Sequence, residues 1–420
     1  MPFTSLGLSP ALLRAVSARS YRTPTAIQLA AIPAALQGRD VLGSARTGSG
    51  KTAAFALPLI QQLEKGQRAS PPRVRALILV PTRELCAQVG ESIRSLTQFL
   101  PQALRVTVVF GGVSINPQLM GLRGGTDIVV ATPGRLLDLI DHNALTLGSV
   151  NTLVLDEADR LLDMGFSDEL NRILSMLPAR RQNLFFSATF PAPVQALAQQ
   201  LLHEPVRIDV LPEPQAAADI AQQAIAVDAG RRTQLLRHLI VTNGWKRVLV
   251  FVATKHAAEI VADKLRKVRI NAEPFHGELS QGKRTQVLAD FKASRLKVVV
   301  ATDVAARGLD ISMLPVVVNY DLPRSAVDYI HRIGRTGRAG EQGVAISFVS
   351  TSTLAHFRLI AKRHQLDLPL EIVAGFEPLE TPSTPAPSAD VSPHDPATGG
   401  IKGKRPSKKD KLREAAARDQ

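Results

Sequence analysis

The sequence predicts an α/β protein with two parallel-sheet domains in tandem, and three observations carry that reading. Short β-branched runs recur in two series, at 76–80, 105–110, 127–131, 151–155 and 182–186, then at 247–252, 297–301, 315–319 and 344–349. Amphipathic helical stretches, such as 82–100 and 255–268, separate the runs. Buried apolar strands alternating with helices indicate a parallel sheet covered on both faces. Finally, the two series echo each other. Val80-Pro81-Thr82-Arg83 returns as Val252-Ala253-Thr254-Lys255, and Val129-Val130-Ala131-Thr132 as Val299-Val300-Ala301-Thr302. Thr82 and Thr132 are 50 positions apart, Thr254 and Thr302 are 48 apart. A weak repeat on that scale suggests two copies of one fold, although the tetrapeptides alone could coincide between β-rich strings.

Between the series, residues 211–219 (Leu-Pro-Glu-Pro-Gln-Ala-Ala-Ala-Asp) have the composition of a linker. The expected boundaries are therefore a first domain over 1–208, a linker over 209–221 and a second domain over 222–370. Beyond 371 the character changes. Residues 371–400 hold six prolines, and residues 401–420 hold eight Lys/Arg against three Asp/Glu, a net of +5. Such a segment is too polar to build a core, so a disordered basic tail is expected over 371–420.

A chain of 420 residues that is 45% hydrophobic and 21% charged is an ordinary folded protein in composition. Its net charge of +14 is not ordinary. It points to a polyanionic partner, either nucleic acid or an anionic membrane surface. Aromatic residues make up only 4%, which favours a grip on a nucleic-acid backbone over base stacking. The single cysteine, Cys86, excludes an intramolecular disulfide and fits a reducing compartment. No apolar run is long enough for a membrane span, and the N-terminus lacks a signal-peptide layout. A cytoplasmic location without membrane association is the resulting expectation.

The segment Ala45-Arg46-Thr47-Gly48-Ser49-Gly50-Lys51-Thr52 is the strongest local signal. It follows a strand-like stretch and opens a helix. Glycines 48 and 50 let the backbone turn its N–H groups toward a phosphate chain. Lys51 brings a positive charge to the β- and γ-phosphates, and the Thr52 hydroxyl can ligate Mg²⁺. A second constellation is Asp156-Glu157-Ala158-Asp159 after the apolar run 151–155. It sets Asp156 at the sheet's C-terminal edge, where open α/β sheets bind ligands. There Asp156 can hold Mg²⁺ largely through water, and Glu157 can orient and deprotonate an attacking water. By itself, an acidic strand end is as often a helix cap. A third is His331-Arg332-Ile333-Gly334-Arg335-Thr336-Gly337-Arg338 in the second series. Its arginines could converge on the γ-phosphate, or form a solvated or nucleic-acid-binding face.

In this order and spacing the motifs resemble those of DEAD-box RNA helicases, the bacterial RhlE group most of all, over about residues 3–350. The resemblance implies two RecA-like domains using ATP and Mg²⁺. Phe3 and the segment Tyr21-Arg22-Thr23-Pro24-Thr25-Ala26-Ile27-Gln28 would recognise adenine, Phe3 stacking on its face and Gln28 reading its edge, with Arg22 and Thr25 beside them. Gly308 and Asp310 would meet the ribose, and Arg335 and Arg338 the γ-phosphate. Asp159, Ser187, Thr189 and His331 would couple hydrolysis to unwinding, His331 by linking to Asp159. Pro81, Thr82, Arg83, Gly112, Thr132, Pro133, Gly134 and Arg135 would line the RNA groove of the first domain. Thr254, His276, Gly277, Arg284 and Thr302 would line it in the second. Ser20, Ala26, Arg46 and Cys86 stand where the family usually has Gly, Pro, Gln and Ala.

The implied partner is RNA, gripped by its backbone without sequence preference, and ribosomal precursors or RNA-degradation proteins are partner classes the resemblance brings with it. A DNA-directed translocase and an ATP-gated RNA clamp use overlapping motifs, and the sequence leaves both in view. A membrane-surface role for the tail is poorer, because the tail lacks apolar anchors.

Overall fold

The computed structural model describes residues 2–45, 48–66, 69–210, 220–306, 314–337 and 343–379. Arg46, Thr47, Gly308, Asp310, Arg338, the linker core 211–219 and the tail from 380 onward lie outside the described residues. The described part forms one compact unit that runs to Leu379. Within it are two seven-stranded sheets, each entirely parallel.

The first lobe comprises β1 (Val41–Ser44), α3 (Lys51–Lys65), β2 (Ala76–Leu79), α4 (Arg83–Thr97), β3 (Val106–Val109), α5 (Asn116–Leu122), β4 (Ile128–Ala131), α6 (Pro133–Asp141), β5 (Thr152–Leu155), α7 (Ala158–Asp163), α8 (Ser167–Ser175), β6 (Gln182–Ser187), α9 (Ala192–Leu201) and β7 (Val206–Asp209). Two helices precede them, α1 (Pro10–Ala18) and α2 (Ala26–Leu36). The order across the sheet is β3-β4-β2-β5-β6-β1-β7. The central strands β2, β4, β5 and β6 are buried at every position, while the edge strands β3 and β7 are not. Alternation assigns their side chains to two cores. Ile78, Val130, Val154, Leu184 and Phe186 pack on one face, and Leu77, Val129, Leu153 and Phe185 on the other. At the opposite end of the strands, Asp40 accepts from the Asn183 and His203 N–H groups at 2.7 and 2.9 Å, which ties the starts of β1 and β6 together.

The second lobe repeats the plan with β8 (Ile220–Ala226), α10 (Arg232–Thr242), β9 (Val248–Val252), α11 (Lys255–Lys267), β10 (Ala272–Phe275), α12 (Gln281–Lys292), β11 (Val298–Thr302), α13 (Asp303–Ala306), β12 (Val316–Asn319), α14 (Ala326–Ile333), β13 (Gly343–Val349), α15 (Leu354–Arg363) and β14 (Leu370–Glu371). Its order is β10-β11-β9-β12-β13-β8-β14. Numbered within each lobe, both sheets read 3-4-2-5-6-1-7. The tetrapeptide echo is therefore a repeat of fold: both members end the second or fourth strand of a sheet.

Four strands were not anticipated from the sequence, and each has a physical reason. β7 and β10 are outermost in their sheets; β7 exposes Arg207 and Asp209 at alternate positions, and β10 is interrupted by Glu273 and by Pro274, which an edge strand tolerates. β8 is diluted by Ala221, Gln222 and Gln223. β14 has two residues, too few to leave a pattern. Two boundaries shift as a result. The connection between the lobes is shorter than 209–221, because Asp209 ends β7 and Ile220 opens β8. The expected tail start at 371 is also too early. Phe376 packs against the second core, its ring 5.3 Å from that of His238, and the Leu379 N–H donates to Asp228 at 2.9 Å. No helix among the described residues is long and apolar enough to cross a membrane.

Candidate active site

The phosphate loop lies where the residue pattern put it, between β1 and α3. Gly48 and Gly50 have φ of 82° and 91°, which non-glycine residues adopt only with strain. A Cβ at 50 would also press on the Gln28 amide, so any other residue there would displace Gln28. Lys51 opens α3. Its Nζ and the Ser49 Oγ are buried and make no hydrogen bond among the described residues. Buried polar atoms without partners carry a desolvation penalty, and both are relieved by an anion in the cradle. The Ala45 N–H donates to the Ser187 carbonyl at 3.1 Å, joining the loop to the end of β6.

Asp156 follows β5 and is fully buried, with Lys51 Nζ at 3.8 Å from its Oδ1. Burial raises its carboxyl to about 6, and the neighbouring Lys51 charge only partly opposes that rise. Glu157, also buried, has φ 53° and ψ 50°. A non-glycine residue in this left-handed region is strained by roughly 1–2 kcal/mol, and such strain concentrates at functional sites. Its Oε2 is 3.6 Å from Arg160 Nε.

The segment expected to read adenine packs against the same loop. The Gln28 amide donates to the Gly50 carbonyl at 3.1 Å, and its oxygen accepts the Thr25 N–H at 3.0 Å. Gln28 thus braces the phosphate loop directly. Next to it, the Tyr21 ring has the Arg19 guanidinium carbon 5.3 Å from its centroid and the Phe3 ring 6.5 Å away. Phe3 itself is buried behind Tyr21 and lines a smaller neighbouring hollow with Arg22. Ser20, at a position where glycine was expected, has φ 57°.

A cavity of ≈ 940 Å³ joins these parts. Tyr21, Thr25, Gln28, Lys51, Thr52, Asp156 and Glu157 line it from the first lobe, and Arg335 enters it from the second. The residues expected to couple the lobes also meet. Asp159 Oδ2 accepts the N–H and the hydroxyl of Thr189 at 3.0 and 2.7 Å, and the Asp159 N–H donates to Ser187 Oγ at 3.2 Å. His331 shares a crevice with Arg160 and Arg335. Burial holds its imidazole far down, at about 4, with Arg160 adding to the effect and Asp159 opposing it. His331 is therefore neutral at physiological pH; it senses the Asp159 charge, while among the described residues the hydrogen bonds of Asp159 lie within its own lobe.

At the C-terminal edges of both sheets, two threonines have nearly the same backbone. Thr82 has φ −129° and ψ 155° and caps α4; Thr254 has φ −133° and ψ 155° and caps α11. Arg83 lies flat against Gly112, where a Cβ would approach within 1.9 Å of its guanidinium. Pro81, Thr132 and Pro133 are buried beside them. Arg135 donates to the Val113 carbonyl at 2.8 Å. Gly134 and Gly277 face open space, and Thr302 ends β11 half-buried. His276 is buried with Nε2 2.8 Å from Glu259 Oε1.

Arg284 departs from the expectation of a phosphate ligand. Its Nε donates to Glu84 Oε1 of the first lobe at 2.7 Å, its NH1 donates to the His276 carbonyl at 3.0 Å, and its plane lies over Phe275 at 4.5 Å. It is a buried bond between the lobes.

Arg332, one of the arginines that could have met the γ-phosphate, has another task. Its Nε and NH2 donate to the two Asp303 carboxylate oxygens, both at 2.6 Å, and its NH1 donates to Asn319 Oδ1 and the Asp321 carbonyl at 3.1 and 2.6 Å. One buried guanidinium thus binds the ends of β11, β12 and, over the Phe251 ring, β9. The signal was an arginine on the apolar face of α14, which a buried ion pair requires.

A phosphate loop on one sheet, and an arginine from a second sheet in the same cavity, define a two-lobed nucleoside triphosphatase of the RecA-like kind. Residues 25–197 match the DEAD/DEAH box helicase family and residues 231–340 the helicase conserved C-terminal domain. The ATP-dependent RNA helicase CshA of Listeria monocytogenes is 41% identical over 358 residues, covering 85% of this chain and 68% of its own length. The DEAD-box ATP-dependent RNA helicase CshA of Geobacillus kaustophilus is 39% identical over 360 residues, covering 86% and 76%. Among solved structures, Saccharomyces cerevisiae Dbp5 bound to RNA and ADP BeF3 aligns with a TM-score of 0.77 at 31% identity, covering 89% of this chain and 95% of that one. The chain belongs to the DEAD-box family of ATP-dependent RNA helicases.

Proposed function

We propose that the protein is an RNA-stimulated ATP hydrolase whose lobes close over ATP and single-stranded RNA, parting short duplexes or remodelling RNA–protein complexes. The observation that carries this reading is Arg335 of the second lobe in the same cavity as Lys51, Asp156 and Glu157 of the first. Nucleotide bound there touches both lobes, so its hydrolysis alters what holds them together.

The Lys51 ammonium and the Ser49 hydroxyl hold the phosphate chain, assisted by the N-terminus of α3. Asp156 and Thr52 would hold Mg²⁺: a buried carboxylate whose nearest ammonium is 3.8 Å away has room for a second cation. When bound, Mg²⁺ neutralises charge on the β- and γ-phosphates. Glu157 orients the attacking water and takes its proton. Arg335 stabilises charge on the γ-phosphate as the bond breaks, with Arg338 as its expected companion. Hydrogen bonds from Ala45 to Ser187, from Asp159 to Ser187 and from Thr189 to Asp159 carry the state of the phosphate loop to the lobe interface.

RNA lies across the strand ends of both sheets, gripped by Thr82, Arg83, Gly112 and Thr132–Arg135 on one side and Thr254, Gly277 and Thr302 on the other. Hydroxyl, guanidinium and backbone donors bind phosphates and sugars without reading bases, and contacts to the 2′-hydroxyl select RNA over DNA. We place the protein in the cytoplasm, with ribosomal precursors or RNA-degradation assemblies as its targets. Affinity to the RhlE group rests on the motif residues alone, and the relatives named above carry other names.

The deciding experiment is Arg335→Ala with kcat and nucleotide Kd measured separately. Loss of a finger arginine should lower kcat by about 10³–10⁵ while Kd changes by a few-fold. A tenfold or smaller loss of kcat with a large loss of ATP affinity would remove Arg335 from the chemistry.

A further inference from the structure

The second lobe contains a closed counterpart of the nucleotide site. In each lobe, the first helix after the first strand begins on a cation, Lys51 in α3 and Arg232 in α10. In each, an acid follows the fifth strand. The Asp156 N–H donates to the Leu79 carbonyl at 3.0 Å, and the Asp321 N–H to the Phe251 carbonyl at 3.1 Å, so both acids sit beside the end of the second strand. In the first lobe the cation and acid stand 3.8 Å apart. In the second, Arg232 NH1 donates directly to Asp321 Oδ1 and, at 3.0 Å, to the Tyr320 carbonyl, with the guanidinium 4.7 Å from the Tyr320 ring centroid. The space that holds phosphate in one lobe is sealed by an ion pair in the other.

The sealed pair reaches further. Asp321 Oδ2 accepts the Ala253 N–H at 2.8 Å. Ala253 is the residue before Thr254, whose hydroxyl caps α11 by accepting the Ala257 N–H at 3.1 Å. Thr254 is exposed, on a turn only two residues past the end of β9. We infer that Arg232 is a positioning residue for the RNA grip, acting through Asp321 to fix the Ala253 peptide and so the turn that presents Thr254. This rests on the reading of Thr254 as an RNA contact.

Two effects follow from the geometry. An anchored turn binds without first losing its freedom, which lowers the cost of association. Arg232 also neutralises a carboxylate that would otherwise stand next to the phosphate path and repel it. Arg232 does not line the nucleotide cavity, so ATP handling should not depend on it.

The test is a double-mutant cycle in the full chain, with single-stranded RNA as the probe and a non-hydrolysable ATP analogue present. Arg232→Met keeps the apolar cover on Tyr320 and removes the charge. RNA affinity should fall about tenfold, the scale of a lost charged hydrogen bond. ATP affinity and kcat at saturating RNA should stay within about twofold. In a Thr254→Val background the same substitution should cost little more, because the residue it positions is gone. If Thr254→Val alone leaves RNA affinity unchanged, the Thr254 reading fails and takes this inference with it. If Thr254→Val weakens binding and Arg232→Met costs a full further factor of ten, Thr254 touches RNA but Arg232 acts elsewhere, and the inference is overturned. Should Arg232→Met not fold, Arg232→Lys carries the same cycle with an expected loss of about threefold.

Discussion

The two sheets share one strand order and use the same corner for opposite purposes. In the first lobe, Lys51 and Asp156 are left 3.8 Å apart, Lys51 Nζ has no hydrogen bond among the described residues, and burial lifts the Asp156 carboxyl to about 6. In the second lobe, the matching Arg232 and Asp321 are bonded to each other and to the backbone around them. A corner that accepts a ligand holds its cation and acid apart and leaves the cation without a hydrogen bond, and this costs stability. A corner without that task closes and stabilises its surroundings. The difference lies in which cation stands at the helix start. Arg232 has a planar fork that spans side chain and carbonyl together; lysine is a point charge that waits for an anion.

The largest expected effect sharpens this contrast on catalysis. Lys51→Ala should abolish ATP turnover, with a loss of at least about 10³ in kcat/KM for ATP, while circular dichroism shows the fold intact. Arg232→Met, at the equivalent corner, should leave the same quantity within about twofold when RNA is saturating. Comparable losses in the two variants would erase the distinction.

Glu157→Gln should come next. The amide keeps the shape of the strained turn and loses the base, so hydrolysis should slow by about 10²–10⁴ while the closed state still forms. RNA release in the presence of ATP should therefore lengthen, as measured by chasing labelled RNA with unlabelled competitor. Release as fast as in the unaltered protein would give Glu157 a different task.

The stability of the two acids offers the third comparison. A carboxyl raised from 3.8 to about 6 binds its proton more tightly in the folded state, so it stabilises the fold only at low pH. That stabilisation is lost as pH rises from the unfolded value through about 6. At pH 7 the ionised Asp156 therefore costs up to about 3 kcal/mol, at 1.36 kcal/mol per pH unit. Asp156→Asn should raise the Tm of the nucleotide-free protein at pH 7, and much less near pH 4, although turnover is lost. Asp321→Asn breaks a bonded pair and should lower Tm at pH 7. Unfolding curves at both pH values check the signs. A Tm increase for Asp321→Asn would mean that the second corner is no more relaxed than the first.

The smallest effect concerns Ser20, held at φ 57° just before Tyr21. Ser20→Gly relieves the left-handed strain but frees the unfolded chain, so a gain of about 0–1 kcal/mol is expected. Denaturant midpoints and ATP affinity together measure it. A loss of stability would show that the hydroxyl of Ser20 contributes contacts that outweigh the strain.

Much of this protein was legible in the chain. Central strands such as β2 and β4 are buried on both faces and must be apolar throughout, so their runs were plain. The phosphate loop was equally plain, because glycine at 48 and 50 answers a demand that neighbouring backbone makes locally. Edge strands β7 and β10 escaped notice, since an edge can expose alternate residues, as β7 does, and accepts proline, as β10 does. By itself, then, the sequence determined the two-sheet plan, the cradle between β1 and α3, and the acids after β5. Tertiary structure decided which charges meet. Glu84 and Arg284 are 200 positions apart and Arg232 and Asp321 are 89 apart, yet each pair is bonded. Periodicity and turn chemistry act between neighbours in the chain, whereas an arginine has one side chain and several possible anions. Only the packing of the sheets determines whether that arginine bonds a carboxylate, braces a turn or remains open for phosphate.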